Sequence, residues 1–254
     1  MTDSITRFLR HAVAKRPSPL CLIAGLLFGM LVAASSVRAL AEEAPPIRIA
    51  LVGDSTVTET AGWGKAFAEL LTPNVRLTNC ARGGQSTKSF LDQGLLATAL
   101  LGHPNYVLIQ FGHNDMPGKG PNRETDPNTT YRTNLIRYVD ESRAAGAQPV
   151  LVSSLVRRTW NRTDGTLIDG LAPYAEAMKA VAAEKKVPLV DLHARSLVAV
   201  QNLGAKGSED LGPMTEKGTR DGTHLSPKGA ALMAGLVAEE LRAAVPALVP
   251  YFKK

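Results

Sequence analysis

A hydroxyl, an imidazole, a carboxylate and a carboxamide stand at separated points of the chain, each beside glycine. Ser55 lies in Gly53-Asp54-Ser55-Thr56, directly after the apolar, β-branched run from Ile47 to Val52. Asp221 and His224 share the tetrapeptide Asp221-Gly222-Thr223-His224, just ahead of Ser226 and Pro227. Asn114 falls in Gly112-His113-Asn114-Asp115, after the run from Tyr106 to Phe111, and Gly83-Gly84 lies within Asn79 to Ser86. Together these groups have what acyl transfer requires. A serine hydroxyl attacks a carbonyl when a base takes its proton, and an imidazole base needs an acceptor to hold its tautomer. An amide side chain and free backbone N–H groups stabilise the oxyanion that forms. An Asp three residues before a His in a tight turn places its carboxylate beside the ring.

Each feature also has a plainer reading. Asp54 and Ser55 after a strand would cap a helix. Asn114 and Asp115 would bond their own backbone in a turn, and paired glycines would make a flexible bend. Asp221 and His224 would be two polar surface residues. Position 57 is Val, so Ser55 does not sit in the G-x-S-x-G elbow. What favours chemistry is placement, because all these features are expected at one edge of one sheet.

Strands are predicted at Ile47–Val52, Val75–Asn79, Tyr106–Phe111, Val150–Ser153 and Val187–Asp191, short apolar runs bounded by turn residues. Helical spacing covers Trp63–Leu71, Ser86–Leu101, Thr130–Ala145, Pro173–Lys185, Ala194–Leu203 and Pro227–Val245. Ser226 is a good N-cap for the last, with Pro227 at its first position. This alternation predicts an α/β fold: a three-layer α/β/α sandwich with a five-stranded parallel sheet, flavodoxin-like. Ligands of such sheets sit outside the carboxyl ends of the strands, where the strand order reverses. The loops at 53–60, 81–86 and 112–128, and the approach to Ser226, would converge there.

Composition bounds the rest. The chain has 254 residues, 44% of them hydrophobic and 20% charged, which excludes disordered, collagen-like and coiled-coil chains. Residues 1–41 read as a secretory signal peptide. Arg7, Arg10, Lys15 and Arg16 precede an apolar run from Leu20 to Val32, and Ala39 and Ala41 form an A-x-A cleavage site. That run spans about 20 Å as a helix, short of a hydrocarbon core of roughly 30 Å. A secreted or periplasmic domain over 42–254 is therefore expected, with no stable membrane anchor. The leader holds five basic residues and one acid, so its loss reduces the formal charge from +6 to +2. No basic patch interleaved with aromatics remains to bind nucleic acid. Cys80 is the only cysteine of the mature chain, which excludes an internal disulfide and a thiolate metal site.

The blocks at 53–55, 79–86, 112–115 and 221–224 resemble those of the SGNH (GDSL-type) hydrolases, over about residues 47 to 245. Finer features resemble the rhamnogalacturonan acetylesterase branch: Gly62-Trp63-Gly64 after the serine, Phe111 before Gly112, and Leu225-Ser226-Pro227-Lys228-Gly229-Ala230 after the histidine. The resemblance implies Ser55 as nucleophile, His224 as base and Asp221 as its orienting acid. It implies an oxyanion hole from the Ser55 N–H, the Gly84 N–H and the Asn114 side chain, with Gly83 as the alternative to Gly84. It implies no metal or organic cofactor, and acetylated carbohydrate as substrate. Fungal members of the branch carry disulfides, and this chain departs from them there. Trp160 is a candidate for stacking on a sugar face, or else covers the edge of the core. His113 is a candidate substrate contact, or else a structural neighbour. The rival readings are a lipase, arylesterase or thioesterase on the same scaffold, and a non-catalytic flavodoxin-like domain binding a sugar or phosphate. The oligomeric state is not legible.

Overall fold

The computed structural model describes residues 44–254, so the signal-peptide reading of residues 1–41 lies outside the described residues. Strands β1 (Ile47–Gly53), β2 (Val75–Asn79), β3 (Tyr106–Gln110), β4 (Gln148–Val152) and β5 (Leu189–Val190) form one sheet in the order β2-β1-β3-β4-β5. All its pairings are parallel. This is the expected flavodoxin-like order, with the reversal between β1 and β3.

Parallel strands are buried on both faces, and alternate residues of β1 show it. Ile49 and Leu51 face a core that includes Trp63 and Phe67 of helix α1 (Gly64–Glu69) and its N-cap, with Met233, Val237 and Leu241 of helix α7 (Pro227–Ala244). Ala50 faces the opposite core. There it meets helices α2 (Thr87–Asp92), α3 (Leu95–Leu100), α4 (Thr130–Ala144) and α5 (Ala172–Lys185). Helix α6 (Leu192–Ser208) joins the first core through Leu192 and Val200.

The structure departs from the sequence reading at three places. The helix expected over Ser86–Leu101 is two helices, because Gly94 adopts φ 68° and breaks the run. Helix α6 continues past Leu203 to Ser208, bending at Gly204. The fifth strand has two residues instead of five, since it borders only β4 at the sheet edge. The C-terminal segment also has a structural place: Phe252 bridges to Leu71 and the Lys253 N–H donates to the Leu70 carbonyl.

Candidate active site

Gly53 ends β1 where no side chain fits, since a Cβ would stand 2.7 Å from the Gln110 carbonyl of β3. The chain then turns sharply into a single 3-10 turn over Ser55–Val57, capped by Asp54. Asp54 Oδ1 accepts from the Thr56 N–H at 2.9 Å and the Thr56 hydroxyl at 2.7 Å. Gln110 Nε2 donates to Thr56 Oγ1, and Trp63 Nε1 donates to Gln110 Oε1, both at 2.8 Å. These four side chains are buried and fix the turn from beneath. Ser55 on top is only half-buried.

His224 arrives from the loop ahead of α7. Its Nε2 is 2.9 Å from Ser55 Oγ, and its Nδ1 is 2.7 Å from Asp221 Oδ2. The other oxygen, Asp221 Oδ1, accepts the backbone N–H groups of Thr223 at 2.6 Å and His224 at 2.9 Å. The acid therefore forms its own turn as well as orienting the ring. Partial burial raises the Asp221 carboxyl, but His224 and these two N–H donors outweigh it and hold the group below the usual range. An ionised Asp221 makes Nδ1 the protonated nitrogen, which leaves Nε2 to accept the Ser55 proton.

The glycine loop is pinned to the Ser55 turn, since the Arg82 N–H donates to the Gly53 carbonyl at 3.0 Å. Gly84 holds φ 77°, the left-handed region that favours glycine, and its N–H makes no hydrogen bond among the described residues. The Ser55 N–H is likewise unused. Asn114 Nδ2 gives one hydrogen to the Gln85 carbonyl at 3.0 Å and keeps its second N–H. A Cβ added to Gly83 would lie 3.8 Å from Ser55 Cβ, so both glycines border the site.

Comparison with known proteins places the chain in a family. The profile of the GDSL-like lipase/acylhydrolase family matches residues 50–232. The rhamnogalacturonan acetylesterase RhgT of Bacillus subtilis is 39% identical over 212 residues, covering 76% of this chain and 89% of its own length. The probable rhamnogalacturonan acetylesterase YesY of the same organism is 35% identical over 204 residues, covering 76% and 92%. Among solved structures, a variant of Axe2, an acetyl-xylooligosaccharide esterase from Geobacillus, superposes with a TM-score of 0.60 at 16% identity, covering 78% of this chain and 95% of that one. This last likeness concerns the fold.

The chain belongs to the GDSL-like lipase/acylhydrolase family. It is accordingly a carboxylic ester hydrolase, and the remaining site residues can be placed with that chemistry in view.

His113 is corrected by the structure as a substrate contact. Its ring is 1% exposed and lies beneath the site, with Nδ1 3.5 Å from Asp54 Oδ2. Burial holds the ring below its ordinary pKa despite the neighbouring carboxylate. Trp160 covers the edge of the core and also borders a cavity. It packs against the core edge with Nε1 3.2 Å from Ser208 Oγ, and it lines a cavity of about 630 Å³ shared with Asp221, Gly222 and Met214.

Asp115 secures the loop that carries Asn114. Its carboxylate accepts the Thr87 N–H at 3.1 Å, the Thr87 hydroxyl at 2.5 Å and the Thr125 hydroxyl at 2.9 Å. Burial nevertheless pushes its pKa up to about 7, against those hydrogen bonds. The folded protein thus keeps a proton that the unfolded chain releases near pH ~3.9. Stability from this group falls as pH rises from about 4 to about 7 and is flat above. Urea unfolding of wild type and Asp115→Asn across that window should show wild type losing on the order of 2–4 kcal/mol relative to the variant. A difference independent of pH would mean that Asp115 is ionised throughout.

Three contributors escaped the sequence reading. Gln110 had a signal, a lone polar residue ending an apolar strand, and a buried amide must find partners. Arg157 and Arg158 had no signal beyond being two basic residues after β4. Arg158 Nη2 donates to the carbonyls of Asp221 at 3.0 Å and His224 at 2.5 Å, at the two ends of their turn.

Proposed function

We propose that the chain is a serine esterase that removes acetyl groups from carbohydrate. The observation that carries this is the relay from Ser55 Oγ through His224 to Asp221, at 2.9 and 2.7 Å, beside three N–H donors left unused among the described residues. In the proposed mechanism Ser55 Oγ attacks the ester carbonyl while His224 Nε2 takes its proton. The Ser55 and Gly84 N–H groups and the free N–H of Asn114 hold the oxyanion. The intermediate collapses with loss of the sugar hydroxyl, which leaves with the proton from His224. Water, deprotonated by the same nitrogen, then attacks acetyl-Ser55, and the proton passes from His224 to Ser55 Oγ as acetate leaves.

The acetyl and carbohydrate specificity is supported by the relatives, two of them described as rhamnogalacturonan acetylesterases, and by polar loops around the site. Those loops offer Asn122, Arg123 and Glu124 where a lipase would offer apolar surface for an acyl tail. Export with loss of residues 1–41 belongs to the same reading, since polymeric substrates lie outside the cell.

Acetate release from acetylated pectin and xylan, measured beside a series of p-nitrophenyl esters, tests the specificity. Activity should fall at least tenfold between acetate and octanoate, because each added methylene needs about 0.8 kcal/mol of apolar surface that polar loops do not supply. Rates maintained to octanoate, with no acetate from either polymer, would favour the lipase reading.

A further inference from the structure

Acyl transfer here requires the loop ahead of α7, which carries His224, and the loop after β3, which carries Asn114, to keep a fixed spacing, and one side chain spans them. Arg157, half-buried, follows the extended run after β4. Its Nη1 donates to Thr223 Oγ1 at 2.5 Å and its Nη2 to the His113 carbonyl at 3.0 Å. Thr223 immediately precedes His224, and His113 immediately precedes Asn114. We propose that Arg157 is a positioning residue for acyl transfer, tying the base loop to the amide loop so that His224 and Asn114 address the same carbonyl. This rests on the serine-esterase reading above.

The chemistry of the side chain suits that task. A guanidinium is planar and presents donors at a fixed separation, so it bridges two acceptors that a lysine ammonium cannot hold together. The two acceptors here are a neutral hydroxyl and a neutral carbonyl. Asp54 and Asp221 act on Arg157 through charge alone, without a hydrogen bond, while burial pushes its pKa below the ordinary arginine range. Desolvating a cation for neutral partners is costly, and the bridge between loops is what it accomplishes. Arg158 does not duplicate the bridge. It joins the two ends of the Asp221–His224 turn to each other and leaves the turn's distance from Asn114 unset.

The test is steady-state hydrolysis of p-nitrophenyl acetate by the full chain and by Arg157→Ala, Arg157→Lys, Thr223→Val and the double variant Arg157→Ala/Thr223→Val. Rates are taken per site, counted by exhaustive labelling with a fluorophosphonate. Misplacing a reacting group by about 1 Å costs up to about 100-fold, so Arg157→Ala and Arg157→Lys should each lower kcat about 10- to 100-fold and leave KM within about twofold. Thr223→Val breaks the same bridge from its other end and should lower kcat in the same direction. The double variant should be no slower than the slower single one, because both remove one connection. A raised KM with kcat preserved would make Arg157 a substrate-binding cation and overturn the proposal. So would multiplicative losses in the double variant, or wild-type kcat in Arg157→Lys. If Arg157→Ala fails to fold, wild-type kcat in Thr223→Val overturns it. Failure of the underlying reading looks different: no site would label, and Ser55→Ala would remain active.

Discussion

Ser55→Ala should lower kcat by on the order of 10⁶, which corresponds to about 8 kcal/mol of transition-state stabilisation. The loss should be chemical, because the substitution removes one half-exposed oxygen and disturbs little else. The Ser55 carbonyl still accepts the Thr58 N–H and hydroxyl, and Asp54 still caps the turn through Thr56. Unfolding midpoints should therefore match wild type within about 0.5 kcal/mol. Residual turnover above water is expected, since the N–H donors of Gly84 and Asn114 remain. Stopped-assay kinetics on p-nitrophenyl acetate, with fluorophosphonate labelling of both proteins, provide the measurement. Activity within tenfold of wild type would remove the serine from the mechanism.

Asp221→Asn should lower kcat by about 10⁴, and the local geometry gives the reason. Asp221 Oδ1 is committed to the Thr223 and His224 N–H groups, and only an oxygen can occupy that place. The asparagine must therefore turn its NH₂ toward His224 Nδ1. A donor there forces the proton onto Nε2, the nitrogen that has to accept from Ser55. The turn keeps its hydrogen bonds while the base is held in the wrong tautomer. KM should change little. A loss below about tenfold would show that His224 is oriented by something other than this carboxylate.

Much of this site is legible in the sequence. Continuous apolar runs without alternation are the mark of strands covered on both faces, and β1 and β3 announced themselves so. Ser55 and Asn114 then had to lie at the two sides of the strand-order reversal, since each directly follows one of those strands. The turn at Asp221 was readable because one carboxylate three residues ahead of a ring meets both its backbone and its side chain. Other features depended on contacts between distant segments. Nothing local to His113 tells whether its ring faces solvent or lies under the neighbouring turn. The break at Gly94 was marked only by a glycine, which helices also tolerate in their interiors. Arg157 acts on residues 44 and 66 positions away, and no periodicity records such a partnership.

The row of side chains beneath Ser55 has one further property, its direction. An indole nitrogen can only donate, so Trp63 obliges Gln110 to present its oxygen on that side and its NH₂ on the other. The Thr56 hydroxyl, receiving that donor, spends its own hydrogen on Asp54 Oδ1. Burial by itself would favour a proton on Asp54, yet nearby His113 and the Thr56 donors keep its carboxyl below the usual range. A residue deep in the hydrophobic layer thus sets the sense of every hydrogen bond up to the carboxyl that caps the serine turn. The arrangement has one consistent orientation, and there is no mirror-image alternative into which the serine turn could relax.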